Sequence, residues 1–493
     1  MAAGTKSNRH NCEWRERAEA LEASQAALAQ KLETLSHELA TLKSRTFGHK
    51  SEKLPRIQDE LRAGQPPDFE AVQRKRRERR EAREKLEQVT TVYPVPESAR
   101  RCPSCGSTQL RQLGEGKPCT IFEYQPARFI AHHHVRETLT CACGDYVTTA
   151  PGPEKWAEKS QYAPSLVAHL VTAKCADSIP LYRQEKEYHR VGVPVSRGTL
   201  TDLFHRAADQ LAPLAARMVA LIRQADVVHA DETPQKVLAE GKCRTGYIWT
   251  FRTRAPEPLI SYVFAPSRSG ETPTAILGGT TGALVVDGYT GYNAVTSVGG
   301  RNRVACHAHV RRYFHEAIPT APEAMRALEL IRELYRVESF ALETGIVGTT
   351  KHLELRQTKS RPIREELKGW LVATGAAHPP KSPLGVAIKY TLNQWDALGR
   401  FLEDARIPLD NNPAESALRR IALGQKNFLL VGHDGAGENL AGLHSLVATC
   451  EANGVNPVAY LTDVLVRVNT HPASKIDELL PHRWRSPPLE SAV

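Results

Sequence analysis

From Gln224 to Cys306 the chain alternates short apolar runs with polar turns, a period that predicts strands rather than helices. The first run, Asp226-Val227-Val228-His229-Ala230-Asp231, puts Val227 and Val228 in a core and Asp231 at the strand's end, where the chain leaves it. Tyr247–Phe251 and Leu259–Phe264, separated by a Pro-containing turn, predict an antiparallel meander with that strand. After a short helix near Glu271 to Leu277, Ala283-Leu284-Val285-Val286-Asp287 repeats a buried run ending in a carboxylate, 287 − 231 = 56 residues on. Arg303-Val304-Ala305-Cys306 is a fifth strand.

Helical periodicity takes over beyond it. Ala308–Ala317, Pro322–Thr344, Lys351–Ala373 and Leu384–Leu402 predict a long, all-helical insertion. At its far side stands Asp410-Asn411-Asn412-Pro413-Ala414-Glu415, with Asn412 as a helix cap, Pro413 at the first helical position and Glu415 one turn in. Glu415 reads either as a capping-box residue reaching back to the Asn412 backbone or as a third carboxylate, 415 − 287 = 128 residues past Asp287. Strand, strand, strand, helix, strand, with acids ending the first and fourth strands, is the order of the ribonuclease H-like fold, an analogy at the level of fold alone.

Upstream of the strands, Ser165–Cys175 and Leu181–Val191 read as helices, Gly192-Val193-Pro194-Val195 as a turn, and Ser196 as the cap of a helix from Arg197 to Leu211. The layout resembles a helix-turn-helix with Arg197 near the start of the second helix; an ordinary helical hairpin has the same signature. The tail, Ser445–Val468 and on to Trp484, reads as helices packed on the core.

At the other end, Leu21, Leu28, Leu32, Leu35, Leu39 and Leu42 recur at alternating three- and four-residue steps, with one polar break at Gln25. That is a coiled-coil seam between chains, or an amphipathic helix packed on its own chain. Arg74 to Lys85 holds eight basic and three acidic residues on a helix-favouring stretch, either a solvated helix or a phosphate-contacting arm. Cys102-Pro103-Ser104-Cys105 and Cys141-Ala142-Cys143, each followed by Gly, form two thiol knuckles suited to one tetrahedral Zn2+ ion. Cys119 and His132-His133-His134 are alternative ligands.

Composition adds bounds. A length of 493 residues, 41% of them hydrophobic, suffices for several domains, and a formal charge of +10 favours a polyanionic partner. No stretch approaches a membrane span, no signal peptide opens the chain, and ten cysteines scattered apart from one cluster fit a reducing cytosol.

The blocks His229-Ala230-Asp231-Glu232-Thr233, Asp287-Gly288-Tyr289-Thr290-Gly291-Tyr292, Cys306-His307-Ala308-His309-Val310-Arg311-Arg312 and Asp410–Glu415 resemble the insertion-sequence-66 family of DDE transposases. The resemblance extends to Thr46–Lys53, to Arg419–Phe428 and to the C-terminal segment, nearly the whole chain. It implies a multidomain α+β protein: a coiled-coil oligomerisation helix (1–45), a basic linker or arm (46–98), a zinc-ribbon-like module (99–150), a helical DNA-binding region (151–223), a ribonuclease H-like catalytic domain (224–440, with its helical insertion at about 310–405) and C-terminal helices (441–493). The implied activity is metal-dependent cleavage at insertion-element ends and strand transfer into target DNA. Spacing alone says only metal-dependent nuclease or strand transferase. A zinc-containing DNA-binding regulator, or a nuclease without strand transfer, are the other readings.

In this reading Asp231 bridges two Mg2+ or Mn2+ ions roughly 4 Å apart, with Asp287 on one and Glu415 on the other, and Cys102, Cys105, Cys141 and Cys143 hold a structural Zn2+. His309, Arg311, Arg312, Arg419, Lys426 and Arg197 would contact DNA phosphates. Ser416 and Gln425 stand where the family usually has arginine, and His307 where it more usually has an aromatic residue, so His307 is given no role. Glu232 is expected to point away from the acids and matter less. The partners implied are double-stranded DNA (terminal repeats and target), a second copy of the chain and element-encoded helper proteins, in a bacterial cytoplasm at the nucleoid.

Overall fold

The computed structural model describes residues 155–158 and 160–486 apart from 194 and 255, and upstream of these only residues 20–25, 28, 31, 35, 69–84, 129–135, 137–140 and 147–149. Cys102, Cys105, Cys141 and Cys143, and most of the leucine seam, lie outside the described residues. Residues 59–131 form a compact unit of their own, described by itself; in it, helix α1 (Phe69–Glu84) is the basic stretch, laced by pairs such as Arg77–Glu81 at 3.7 Å. In the larger unit, His132, His133 and His134 are exposed, and β1 (Thr138–Thr140) pairs antiparallel with β2 (Val147–Thr149).

The next three helices are α2 (Pro164–Cys175), α3 (Leu181–Arg190) and α4 (Arg197–Gln224). Ser196 caps α4 as the sequence predicts, its hydroxyl accepting from Thr199 N at 3.2 Å. The helix does not stop at Leu211. It runs 28 residues, because its apolar stripe continues through Leu214, Met218 and Ile222 into the same core.

That core is shared with a five-stranded sheet of order β5-β4-β3-β6-β7: β3 (Val227–Ala239), β4 (Lys242–Thr253), β5 (Ile260–Ala265), β6 (Ala283–Val286) and β7 (Asn302–Ala305). β3, β4 and β5 are antiparallel neighbours, as the meander predicts; β6 lies parallel to β3, and β7 to β6. Between β5 and β6 runs the short helix α5 (Glu271–Leu277). All four residues of β6 are buried, which is why its sequence shows no alternation.

One expectation needs correcting. Asp231 does not end its strand: it is the fifth residue of a thirteen-residue β3, which continues as a hairpin with β4 to the pair Ala239↔Lys242. Even Pro234 and Gln235 stay in the ladder, opposite Tyr247 and Gly246. What ends near Asp231 is the parallel pairing, whose last register is His229↔Val285.

After β7 the helical insertion comprises α6 (His307–Ala317), α7 (Ala324–Glu343), α8 (Thr350–Leu355), α9 (Arg361–Gly375), α10 (Pro383–Asn393) and α11 (Trp395–Gly399), a five-residue π-helical stretch, Arg356–Ser360, joining α8 to α9. The chain returns to the sheet with α12 (Asn412–Phe428), then α13 (Asp434–Ala452) and α14 (Pro457–Arg467). Helix α13 closes the exposed edge of the sheet. Ser445 Oγ accepts from Tyr262 N at 2.8 Å and Thr449 Oγ1 from Ile260 N at 3.0 Å, so edge donors of β5 are satisfied by buried hydroxyls. No helix among the described residues is long and apolar enough to cross a membrane.

Candidate active site

Parallel pairing sets the first two acids side by side. Asp231 and Asp287 each lie two residues past the paired His229 and Val285, so they stand at the same level along adjacent strands. One oxygen of each is held by the main chain: Glu232 N donates to Asp231 Oδ1 and Tyr289 N to Asp287 Oδ1, both at 2.9 Å. Burial, with the Glu232, Asp287 and Glu415 charges, pushes the Asp231 carboxyl up to about 7, partly offset by the Glu232 N–H. The Asp287 turn is fixed from β7, where Arg303 Nη2 donates to the carbonyls of Asp287 and Tyr289, both at 2.7 Å. It is also covered by the insertion: a Cβ on Gly288 would lie 2.8 Å from the Tyr390 ring of α10.

Glu415 arrives on α12, and each antiparallel strand sends one polar side chain to the start of that helix. From β3, His229 Nδ1 meets Asn411 Oδ1 at 3.1 Å, while Asn411 Nδ2 donates to Ala230 O at 2.8 Å. From β4, Arg252 donates to Pro413 O at 3.1 Å; from β5, the Tyr262 hydroxyl donates to Ala417 O at 2.8 Å. Burial holds His229 down to about 4, so it is neutral and serves as a hydrogen-bonding brace.

The capping reading of this turn does not hold. The residue at the cap is Asn411, and the Asn412 N–H that Glu415 would have served is taken by Asp410 Oδ1 at 3.1 Å. The Glu415 carboxylate is thus left facing the acids; burial first, then the Asp410 and Asp287 charges, raises its pKa against the pull of Arg312 and Arg419.

Around the acids, His309 sits in the first turn of α6 with Nδ1 3.6 Å from Glu415 Oε1. Burial, then Arg312, lowers its pKa. Arg312 and Arg419 are exposed, and Arg311 is half-buried. Lys426 is exposed in the last turn of α12, and Arg197 is exposed at the start of α4, its backbone N–H on Glu185. The structure therefore gathers Asp231, Asp287, Glu415, His309, Arg312 and Arg419, while Lys426 lies 426 − 415 = 11 residues, about 16 Å, along its helix from Glu415.

Several residues here carry no signal in the sequence. His307, given no role, is buried and links α6 to the segment before Asp410: its Nδ1 bonds Leu409 O at 3.0 Å, and burial holds it neutral near 4. Gln425, at a position read as a lost DNA contact, donates to Pro234 O at 2.8 Å and ties α12 to β3. Glu232, expected to matter less, is not idle, and its charge is the first of the carboxylate charges that raise the Asp231 pKa. Its side chain is 2% exposed, takes Arg268 Nη2 at 2.6 Å and accepts from the Tyr292 hydroxyl at 2.7 Å.

Asp231 and Asp287 stand on adjacent strands, and burial with the neighbouring carboxylate charges raises the Asp231 pKa; oxygen donors of this kind suit a hard divalent ion. Comparison with known families agrees. The family described as Transposase IS66 matches residues 159–439, the IS66 C-terminal element residues 445–482, and the zinc-finger binding domain of transposase IS66 residues 99–144. The uncharacterized proteins y4hP and y4jD of Sinorhizobium fredii (strain NBRC 101917 / NGR234) are each 32% identical to this chain. The first alignment covers 79% of this chain and 74% of the relative; the second covers 81% and 80%.

Proposed function

Because the chain belongs to the IS66 family of transposases, with that family's zinc-finger domain at residues 99–144, we propose that it cleaves DNA at insertion-element ends and joins them to target DNA. The observation that carries this reading is the convergence of Asp231, Asp287 and Glu415 from a ribonuclease H-like sheet and the helix after its insertion. Asp231, Asp287 and Glu415 would hold Mg2+ or Mn2+, which when bound would activate the attacking oxygen and stabilise the leaving one.

The protein's own part is positioning. Arg303 holds the Asp287 turn, Asn411 and His229 hold Glu415 against β3, and Arg312, Arg419, Arg311 and His309 line the approach for phosphate. Lys426 and Arg197 extend the basic surface along the duplex. Water attacks at an element end and frees a 3′-hydroxyl, which then attacks a target phosphodiester. Cys102, Cys105, Cys141 and Cys143 fold the N-terminal module around a structural Zn2+.

Asp231→Asn, Asp287→Asn and Glu415→Gln are each expected to abolish Mg2+- or Mn2+-dependent cleavage of DNA carrying the flanking terminal repeats, with binding to that DNA retained. The triple variant is expected to be scarcely worse than a single one, because one loss already misplaces a metal. Near-normal cleavage by Glu415→Gln would reduce Glu415 to a structural residue; hydrolysed but never joined products would make the protein a nuclease only.

A further inference from the structure

Among the described residues one group of three ligand atoms is tightly gathered: the Cys306 sulfur, a His309 ring nitrogen and a Glu415 carboxylate oxygen all lie within 4.8 Å of one another. We propose that these side chains form a second metal position, selective for a thiophilic divalent cation such as Zn2+, which shares Glu415 with the catalytic site. The functional consequence rests on the reading of Glu415 given above: an ion held here draws Glu415 away from the aspartates and inhibits cleavage.

Three observations point to a ligand. His309 Nδ1 is buried and has no hydrogen-bond partner. Its 3.6 Å separation from Glu415 Oε1 is too long for a good hydrogen bond but normal for two ligands of one ion, since bonds of about 2.0–2.3 Å in a tetrahedron separate ligand atoms by roughly 3.3–3.8 Å. Asn411 N donates to Cys306 Sγ at 3.2 Å, an outer bond of the kind that steadies a thiolate ligand. Burial, with the Asp410 and Glu415 charges, pushes the Cys306 thiol up against the pull of the Asn411 and His309 N–H groups, so the sulfur gives up its proton only to a bound ion.

The chemistry of the set decides the metal. A sulfur and an imidazole suit Zn2+ or Cd2+, whereas Mg2+ keeps to oxygen and remains with Asp231 and Asp287. Binding would release the Cys306 thiol proton to solvent. Three protein ligands leave a fourth position for water or a phosphate oxygen, reached from the half-exposed Glu415 side because Cys306 itself is fully buried.

The test counts ions rather than turnover. The full chain, Cys306→Ser and His309→Gln are dialysed against Zn2+ in excess Mg2+, and zinc per chain is measured by elemental analysis. The four knuckle cysteines contribute equally to all three, so the difference isolates this position. Wild type is expected to hold one zinc more than either variant, and Cd2+ in place of Zn2+ to give a thiolate charge-transfer absorption greater than that of Cys306→Ser, which keeps only the share of the knuckle cysteines. Zinc is further expected to inhibit wild-type cleavage at concentrations that leave Cys306→Ser at its own uninhibited rate. Equal zinc counts overturn the proposal. His309→Gln keeps the buried Cys306 in place, so an equal count in that variant does so even if Cys306→Ser misfolds. If instead the assigned cleavage activity were absent, the zinc difference would persist, which separates the two readings.

Discussion

Glu232 and Asp231 are neighbours with opposite duties, and alternation along β3 is the cause. Asp231 faces the acids, where burial and like charges oppose its ionisation. Glu232 faces Arg268 and Tyr292, and the Arg268 guanidinium in turn lies 4.1 Å from the Tyr289 ring centroid. This chain of contacts spans the loop that carries Asp287. Glu232→Gln keeps the shape but loses the charge and sets an amide N–H among donors, so we expect a loss of about 1–2 kcal/mol of stability, Arg268 being half exposed. Metal-free Asp231→Asn should behave oppositely, at least as stable as wild type, because it removes a charge its surroundings oppose. Thermal unfolding of both variants without metal checks the pair. A destabilised Asp231→Asn beside an unchanged Glu232→Gln would mean that the two side chains face the other way round.

At the scale of elements, the strands and the antiparallel grouping of the first three were legible, because apolar runs of four to six residues between turns have few other uses. The acids at the ends of two runs were legible for the same reason. The length of β3 was not: Thr233-Pro234-Gln235 carries turn chemistry, and only the β4 partner keeps it extended. Nor were the braces His229, Asn411, Arg252 and Arg303, since single polar residues acquire meaning only from what faces them. The insertion holds a further case. Arg356, 1% exposed, pairs with Glu338 at 2.6 Å and donates to the carbonyls of Phe401 and Ile407 at 2.8 and 2.9 Å, fixing the segment that leads back to Asp410. Burial alone would raise the Glu338 carboxyl, but bonds from His352 and Arg356 outweigh it and hold the pKa below its usual value. A depressed carboxyl stabilises the fold above the unfolded pKa and loses that contribution as pH falls through the folded one. We therefore expect Arg356→Met to cost about 3 kcal/mol near neutrality, by leaving Glu338 with the His352 bond alone and the Phe401 and Ile407 carbonyls without their donor. The gap to wild type should narrow below the ordinary glutamate pKa of about 4.3. Equal unfolding temperatures at neutral pH would mean that the pair holds nothing.

For the whole molecule, the question is what one chain leaves unsatisfied. Of the leucine seam, the described residues include Leu21, Leu28 and Leu35, spaced by sevens (28 − 21 = 7 and 35 − 28 = 7) and 65%, 60% and 63% exposed. All three are helical and open to solvent, as the half-interface of a coiled coil would be. The buried cluster runs from Trp156 through the sheet to Trp484, and none of these three leucines is among its described residues. We therefore expect assembly and folding to be carried by different parts of the chain. Cleavage at two element ends followed by joining needs two active sites held together, which such a seam would supply. Removing residues 1–45 is expected to lower the oligomeric state measured by light scattering while leaving the unfolding temperature of the rest within about 2 °C, since few contacts are lost from a domain of this size. Cleavage of single ends should persist, and joined products from paired ends should fall. An unchanged mass after the deletion would place assembly elsewhere on the surface and return the leucines to packing against their own chain.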